Sequence, residues 1–191
     1  MQFLLPWMEP DLHKWENRPV NPIAAKELLP NPNHDLTEVT LATESPGEPE
    51  ENGPYRKIAD SVLGYRVFGP KIGEPVILTQ RVDPGETIGL AYRFLPGLRL
   101  FFASRVVEVF EDEETEEGWR SGFVYRTLVK HPEVGEEIFE VMKHRDGAVT
   151  FRLEAWSRPN LWYVKLLGAW ARYIQRYAAR CAVEHLSQLV K

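Results

Sequence analysis

The chain has 191 residues, of which 43% are hydrophobic and 27% are charged. It is therefore long and apolar enough to form a domain with a sizeable hydrophobic core. The net charge of −5 argues against a nucleic acid partner, because phosphate binding needs a basic surface. The single cysteine, Cys181, excludes an intrachain disulfide and a zinc site built from cysteines.

Residues 1–35 are predicted to form an irregular arm, because nine of the 15 prolines lie at or before Pro54. One short helix is predicted within the arm, at residues 22–29. Side chains such as Trp7 and Trp15 would be costly to leave in water. The arm is therefore expected to pack on the main domain, residues 36–191, or on a second subunit. A homodimer formed through the arm is a further prediction.

The first ten residues, MQFLLPWMEP, do not resemble a secretory signal, because they lack a basic start and are interrupted by Pro6. No uninterrupted apolar run approaches the ~20 residues that a membrane-spanning helix needs. We therefore predict a cytoplasmic protein without a transmembrane segment.

The main domain begins with strand and helix signals. Residues 36–42 are predicted to form a strand, and residues 45–53, SPGEPEENG, an acidic flexible loop. Residues 54–63 are predicted to form a helix, with Pro54 at its first position and Gly64 at its end.

Strands with strong turn sequences between them follow this helix. They are predicted at residues 65–68, 76–82, 88–94 and 98–111. The acidic segment EDEETEEG after the last of them is predicted to be a solvated loop.

Three alternating strands are predicted between Gly122 and Pro159. Each strand is expected to have one apolar face. In the first strand it consists of Phe123, Tyr125, Thr127 and Val129, in the second of Phe139 and Val141, and in the third of Val149, Phe151, Leu153 and Ala155. Asp146-Gly147 predicts a two-residue hairpin in which both residues have positive φ. The result is an antiparallel sheet of six or seven strands whose apolar face needs a cover.

A long helix at residues 160–191 is the expected cover. Its apolar stripe consists of Leu167, Trp170, Ile174, Ala178, Cys181 and Leu189, and its basic stripe of Lys165, Arg172, Arg176 and Arg180. At about 1.5 Å per residue the helix would be some 45 Å long, enough to cross a small sheet. Trp170 is expected to pack toward Phe151 and Leu153.

Four segments resemble a known family. They are FVYRTL at 123–128, HPEVGEE at 131–137, AWSRP at 155–159 and the pair Gln175-Arg176. In this order they resemble uncharacterised protein family 0548, whose pattern is F-x-Y-G-T-L, H-P-x-x-G-E-E, A-F-S-R-P and Q-R. The resemblance implies an α+β helix-grip fold of the START/Bet v 1-like superfamily, with a cavity but no established reaction. Arg126 departs from the glycine of the family pattern.

Catalytic motifs are weak in this sequence. His131, Glu136 and Glu137 have residue types suited to metal binding, but HPEVGEE is better explained as a connection between strands, because no third strong ligand is evident. Ser157 is better explained as part of a turn than as a nucleophile, because no base partner is suggested. We therefore predict neither a metal site nor a cofactor.

Polar residues on apolar strand faces are a stronger signal, because a few polar groups on apolar walls are typical of a small-molecule pocket. By strand alternation, Arg105 should share the inward face of residues 98–111, and Glu137 that of the second strand. The two are expected to pair with each other or to meet a ligand. The alternative is that such groups satisfy one another or lie at the rim of the sheet. The predicted ligand-binding residues are Arg105, Tyr125, Thr127, Glu137, Phe151 and Trp170.

Three functions remain open from the sequence. The leading hypothesis is the binding of a small apolar or amphipathic molecule between the sheet and the long helix. The first alternative is an enzyme of cyclase, dehydratase or hydrolase type that uses the same cavity. The second alternative is a protein-interaction module that uses the arm and the basic stripe.

Overall fold

The computed structural model describes residues 1–160 and 168–191, with side chains described outside 168–171. The strands are β1 (Gln2–Leu4), β2 (Asn33–Thr43), β3 (Gly73–Val76), β4 (Thr87–Leu95), β5 (Leu98–Glu114), β6 (Gly118–Thr127), β7 (Glu133–His144) and β8 (Ala148–Pro159). The helices are α1 (His13–Glu16), α2 (Pro54–Leu63) and α3 (Gly168–Gln188).

The strands form one antiparallel sheet in the order β2-β8-β7-β6-β5-β4-β3. The eighth strand, β1, pairs with Arg99–Phe101 of β5, in the part of β5 that precedes its pairing with β6. The predicted arrangement of a long antiparallel sheet followed by a C-terminal helix is confirmed.

Helix α2 covers one end of the inner face of the sheet. Pro54 opens the helix, where a missing backbone N–H costs nothing, and Gly64 follows its last residue, as predicted. Tyr55, Ile58 and Val62 are fully buried in the main core. The strand residues Phe123, Phe139, Val141, Val149 and Phe151 supply the other side of this core.

The arm covers the outer face of the sheet. Leu4, Leu12 and Trp15 are buried against Phe101 and Ala103 of β5. Farther along, Ala24 and Leu29 are buried against Val134 of β7. Residues 22–29 form a series of turns rather than the predicted helix, because this packing and short-range hydrogen bonds shape the segment locally.

A β-bulge in β5 changes which residues face the core. Val106 pairs with Tyr125, but the next pair is Glu108 with Val124, so Val107 is an extra residue. Before the bulge Phe102 and Ser104 face inward, and after it Val109 does. The single inward face predicted for residues 98–111 is therefore wrong, because the bulge divides these residues between the two sides of the sheet.

Other local predictions also need correction. Residues 65–68 are not a strand, because Tyr65 has φ +52° and packs its ring on Phe68 and Phe123. The strand predicted at 76–82 is instead β3, which ends at Val76. The hairpin after β7 has three loop residues, and of them only Gly147 has positive φ, at +99°.

The acidic loop at 45–53 is held against the sheet by the buried Lys143, which donates to the carbonyl oxygens of Ser45 and Gly47.

Candidate functional site

A cavity of about 860 Å³ lies between the inner face of the sheet and α3. This volume is within the usual range for sites that take small molecules. Much of its wall is apolar, and includes Phe68, Ile72, Ile88, Leu90, Phe102 and Leu153. Ile174 and Ala178 of α3 close the other side, as the predicted apolar stripe requires.

A tyrosine–carboxylate pair stands at the polar end of this cavity. Tyr125 and Glu137 are directly opposed on β6 and β7, so their side chains leave the sheet side by side. The Tyr125 hydroxyl donates a hydrogen bond to the Glu137 carboxylate. Burial, with a smaller contribution from the charge of Glu133, raises the pKa of Glu137 to about 7, against the opposing effect of the hydrogen bond from Tyr125. Burial also holds the pKa of Tyr125 well above its usual range.

A second carboxylate occupies the same end. The side chain of Gln175 on α3 donates from Nε2 to Glu133 at 2.6 Å and to the Ser157 hydroxyl oxygen at 3.1 Å. Burial raises the pKa of Glu133 to about 7, against the opposing effect of its bond from Gln175. Helix and sheet are thus joined at the cavity by a polar contact.

Gly135 lies between the two glutamates on the same face of β7. Its N–H donates to Thr127 Oγ1 at 3.0 Å. A Cβ atom at this position would lie 2.1 Å from the carbonyl oxygen of Trp156, so the close pairing of β7 with β8 requires glycine here. The strand consequently places no side chain between the carboxylates of Glu133 and Glu137.

His131 borders the cavity as a neutral imidazole. Burial lowers its pKa to about 3. Its Nδ1 atom lies 2.9 Å from the carbonyl oxygen of Glu133, and its ring meets Phe102 edge to face. These contacts fix the ring in place beside the polar end of the cavity.

The structure brings three of the six predicted ligand-binding residues together. Tyr125, Thr127 and Glu137 all line the cavity, on the faces that strand alternation predicts. Phe151 has the predicted orientation but is fully buried in the core below the cavity. The side chain of Trp170 lies outside the described residues.

Arg105 lies on the opposite face of the sheet, so its predicted inward orientation is wrong. Its guanidinium donates to the carbonyl oxygens of Glu16 at 2.5 Å and Gly85 at 3.0 Å, beneath the arm. The β5 bulge is the physical reason, because it reverses the alternation on which the prediction depended. The predicted pairing of Arg105 with Glu137 is wrong for the same reason.

Sequence reasoning missed Glu133, Ser157 and Gln175 as cavity residues. The segment HPEVGEE was interpreted as a connection, but β7 begins at Glu133, so Glu133 shares the inward face of Glu137. Ser157 was interpreted as part of a turn, but β8 continues to Pro159. Continuing the alternation four residues back from Glu137, and two residues beyond Ala155, would have placed Glu133 and Ser157 on the inward face. Gln175 belongs to one of the four segments that carry the family resemblance.

The departure at Arg126 has a local explanation. The side chain lies on the outer face, where its Nε donates to Glu136 at 2.6 Å. An arginine at this position therefore leaves the cavity unchanged. The residues Tyr125, Glu137, Ser157 and Gln175, one from each of the four segments, meet at the polar end of the cavity.

No group of three or more His, Cys, Asp or Glu side chains is arranged to hold a metal ion within the described part of the chain. Among the helices described here, none is long and apolar enough to cross a membrane.

Similar solved structures share the fold at low sequence identity. A hypothetical protein from Helicobacter pylori has a TM-score of 0.57 at 10% identity, over 83% of this chain and 88% of its own. The di-domain ARO/CYC proteins StfQ, of the steffimycin biosynthetic pathway, and BexL, of the BE-7585A biosynthetic pathway, have TM-scores of 0.54 and 0.52 at 10% and 16% identity. They match over 82% and 84% of this chain and 50% of theirs. The predicted α+β helix-grip fold is confirmed.

Sequence comparison identifies the family. A UPF0548 protein of Dictyostelium discoideum is 29% identical over 114 residues, which are 56% of this chain. The chain spans about half of that relative, 51% of its length. The profile of a family described as a domain of unknown function, DUF1990, matches residues 23–185. The chain therefore belongs to the DUF1990 family, as its resemblance to uncharacterised protein family 0548 predicted.

Proposed function

We propose that the protein binds a small apolar or amphipathic molecule in the cavity between the sheet and α3. The observation that carries the proposal is the cavity itself, about 860 Å³ of mostly apolar wall with a polar group of side chains at one end. Such a site buries most of a small ligand and orients it through a few polar contacts. Met1 and Phe3, at the start of the arm, contribute to the lining of this cavity.

Titration with Nile red, a neutral apolar dye, tests the proposal. Ala178 lines the cavity from α3, so Ala178→Phe should fill part of the space and lower dye affinity about tenfold or more. Gln188→Phe, at an exposed position of the same helix, is the matched control and should bind like the wild type. Native mass spectrometry of freshly purified protein would reveal a ligand carried from the cell. Equal dye binding by both variants would place the dye elsewhere and contradict the proposal.

The second candidate function is an enzyme of cyclase, dehydratase or hydrolase type that uses the same cavity. The observation that favours it is the Tyr125–Glu137 pair, because a carboxyl with its pKa near 7 suits proton transfer. The likeness to the ARO/CYC proteins supports the fold and not their reaction. Activity profiling against lipid-like, aromatic and ester substrates tests this function. Turnover that survives both Tyr125→Phe and Glu137→Gln would exclude the pair from catalysis.

A further inference from the structure

The polar end of the cavity has more hydrogen-bond acceptors than donors. Glu133 and Glu137 each bring a carboxylate, which offers about four acceptor positions when ionised. Gln175 Oε1 is buried and has no hydrogen-bond partner among the described residues. Two of the donors at this end, the Tyr125 hydroxyl and the Gln175 amide, are already engaged with Glu137, Glu133 and Ser157. A ligand that completes this end must therefore donate hydrogen bonds.

Neither glutamate has an ion-pair partner among the described residues, although Arg176, Arg180 and the N-terminal ammonium of Met1 line the same cavity. Within the described part of the chain, no Lys or Arg contributes to the pKa of either glutamate, whereas other carboxylates raise both values. Two arginines of α3, Arg172 and Arg176, pair with Asp35 of β2 at 3.4 and 3.5 Å. A buried carboxylate without a cation is costly, so a cationic ligand would gain binding free energy from each of the two glutamates.

The spacing of Glu133 and Glu137 leaves room for one cationic group between them. They are four residues apart on β7, so their Cα atoms are about 13 Å apart along the strand. Gly135 places no side chain between them. Their carboxylates nevertheless interact, because the charge of Glu133 raises the pKa of Glu137. Both carboxylates therefore lie within electrostatic range of a cation bound at this end of the cavity.

We propose that the cavity selects amphipathic amines, with the protonated amine held between Glu133 and Glu137 and the apolar body against Phe68, Ile88 and Leu90. This inference rests on the proposed function, since it names the ligand class of the same cavity. An ammonium group supplies positive charge and several N–H donors at once. An alcohol supplies one donor and no charge, and a carboxylate adds a third negative charge to the site.

A matched series of decylamine, decanol and decanoate, each below its micelle concentration, tests the selection by calorimetry and by displacement of Nile red. Decylamine should bind about tenfold or more tightly than decanol, because a charge-assisted hydrogen bond is the stronger kind. Decanoate should bind most weakly. If decanol or decanoate binds as tightly as decylamine, the amine selection is wrong while the cavity function stands. If none of the three binds and Nile red also fails, the proposed function itself is wrong.

Substitutions on β7 locate the head group. Glu137→Gln and Glu133→Gln should each reduce decylamine affinity about tenfold while leaving decanol affinity nearly unchanged. Glu140→Gln is the control on the same strand, because Glu140 faces outward and contacts Arg120. Undiminished decylamine binding by both cavity variants would overturn the proposed position of the amine.

The pH dependence gives an independent readout. Both carboxyls have their pKa raised to about 7, so they ionise as the pH rises from about 5 to about 8, whereas an aliphatic amine with a pKa near 10 stays protonated. Decylamine affinity should therefore rise across this range, and decanol affinity should not. The charged or titratable groups that line the cavity from other elements are the N-terminal ammonium of Met1, His34, Asp35, Tyr65, Tyr92, Tyr125, His131, Arg176 and Arg180. An affinity for decylamine that is flat or falls with pH would contradict the proposal.

Discussion

The fully buried lysine, Lys143, shows how one residue can tie a loop to the sheet. Its ammonium donates to the carbonyl oxygens of Ser45 and Gly47 and lies 4.0 Å from the buried carboxylate of Glu44. Glu44 in turn accepts from the backbone N–H of Tyr55 at 2.6 Å, at the first turn of α2. One charged pair therefore connects β7, the loop at 45–53 and α2.

Lys143→Met should lower the free energy of unfolding by about 3–5 kcal/mol, because it leaves the buried carboxylate of Glu44 without its cation. Lys71→Met is the matched control. Its ion pair with Glu184 is exposed and should contribute less than about 1 kcal/mol. Urea denaturation of both variants measures the difference. Similar losses of unfolding free energy in the two variants would show that burial does not determine how much an ion pair contributes to stability.

Glu137 should also make stability depend on pH. Its pKa is raised from 4.5 to about 7, so the folded chain binds this proton more tightly than the unfolded chain. The stability that the protonated group contributes is present below about pH 4.5 and is lost as the pH rises through about 7. Glu137→Gln should therefore gain stability relative to the wild type across this interval, by about 1–3 kcal/mol.

Denaturation curves at several pH values for wild type and Glu137→Gln would measure this difference. The comparison between the two proteins removes the opposing effect of His131, which has a pKa lowered to about 3 and is retained in both. Parallel stability profiles for the two proteins would mean that Glu137 titrates normally.

The arm carries two tryptophans in different surroundings. Trp15 is buried, meets the ring of Phe101 edge to face and has Arg18 above its own ring. Trp7 is 77% exposed. Trp15→Ala should cost about 3–5 kcal/mol, and Trp7→Ala about 0.5 kcal/mol or less. Thermal unfolding, monitored by circular dichroism, compares the stability of the two variants. A small loss in Trp15→Ala would mean that the arm does not pack on β5 in solution.

At the scale of elements, regular strands could be predicted from the sequence and irregular ones could not. The alternation of Phe123, Tyr125, Phe139 and Phe151 gave the correct inward faces, because β6, β7 and β8 are regular there. Arg105 was misplaced because a bulge is a property of a pair of strands, and the sequence of β5 alone does not mark it. Both ends of α2 were predictable, since Pro54 and Gly64 act locally.

The candidate site was predictable only in part, for a related reason. Tyr125, Thr127 and Glu137 followed from alternation within their strands. Gln175 reaches Glu133 only because α3 crosses the sheet at that point, and the crossing position of a helix is a tertiary property. Strand ends were the weakest predictions, which is why Ser157 was assigned to a turn.

For the whole molecule, the arm and the inner helices cover opposite faces of one sheet. A deletion of residues 1–32 ends just before β2. It would expose Phe101, Ala103 and Leu128 to water. We expect the truncated chain to aggregate and to melt at a lower temperature, because a contiguous apolar patch is costly. Light scattering and thermal unfolding measure both effects. A soluble, equally stable truncated chain would show that the arm contributes nothing to the fold.

The division at residue 35 and the homodimer through the arm stay predictions. Light scattering of the intact chain tests the homodimer directly, and its concentration dependence tests how strong the association is. If the arm serves assembly, Trp7→Ala should reduce the measured mass, since Phe3, Leu5 and Trp7 are the exposed apolar side chains at its start. An unchanged mass in that variant would remove this surface from any dimer interface.

The extra residue in β5 has a consequence for how the two faces of this sheet can change. A substitution alters one side chain on one face of a strand. Deleting Val107 would instead restore strict alternation in β5. If the pairing with β6 after the bulge is kept, each residue before the bulge would then point to the opposite face of the sheet. Phe102 and Ser104 would then turn toward the arm, and Phe101 and Arg105 toward the cavity. A change of chain length by one residue at this position would thus turn a basic side chain toward two glutamates and offset part of their negative charge.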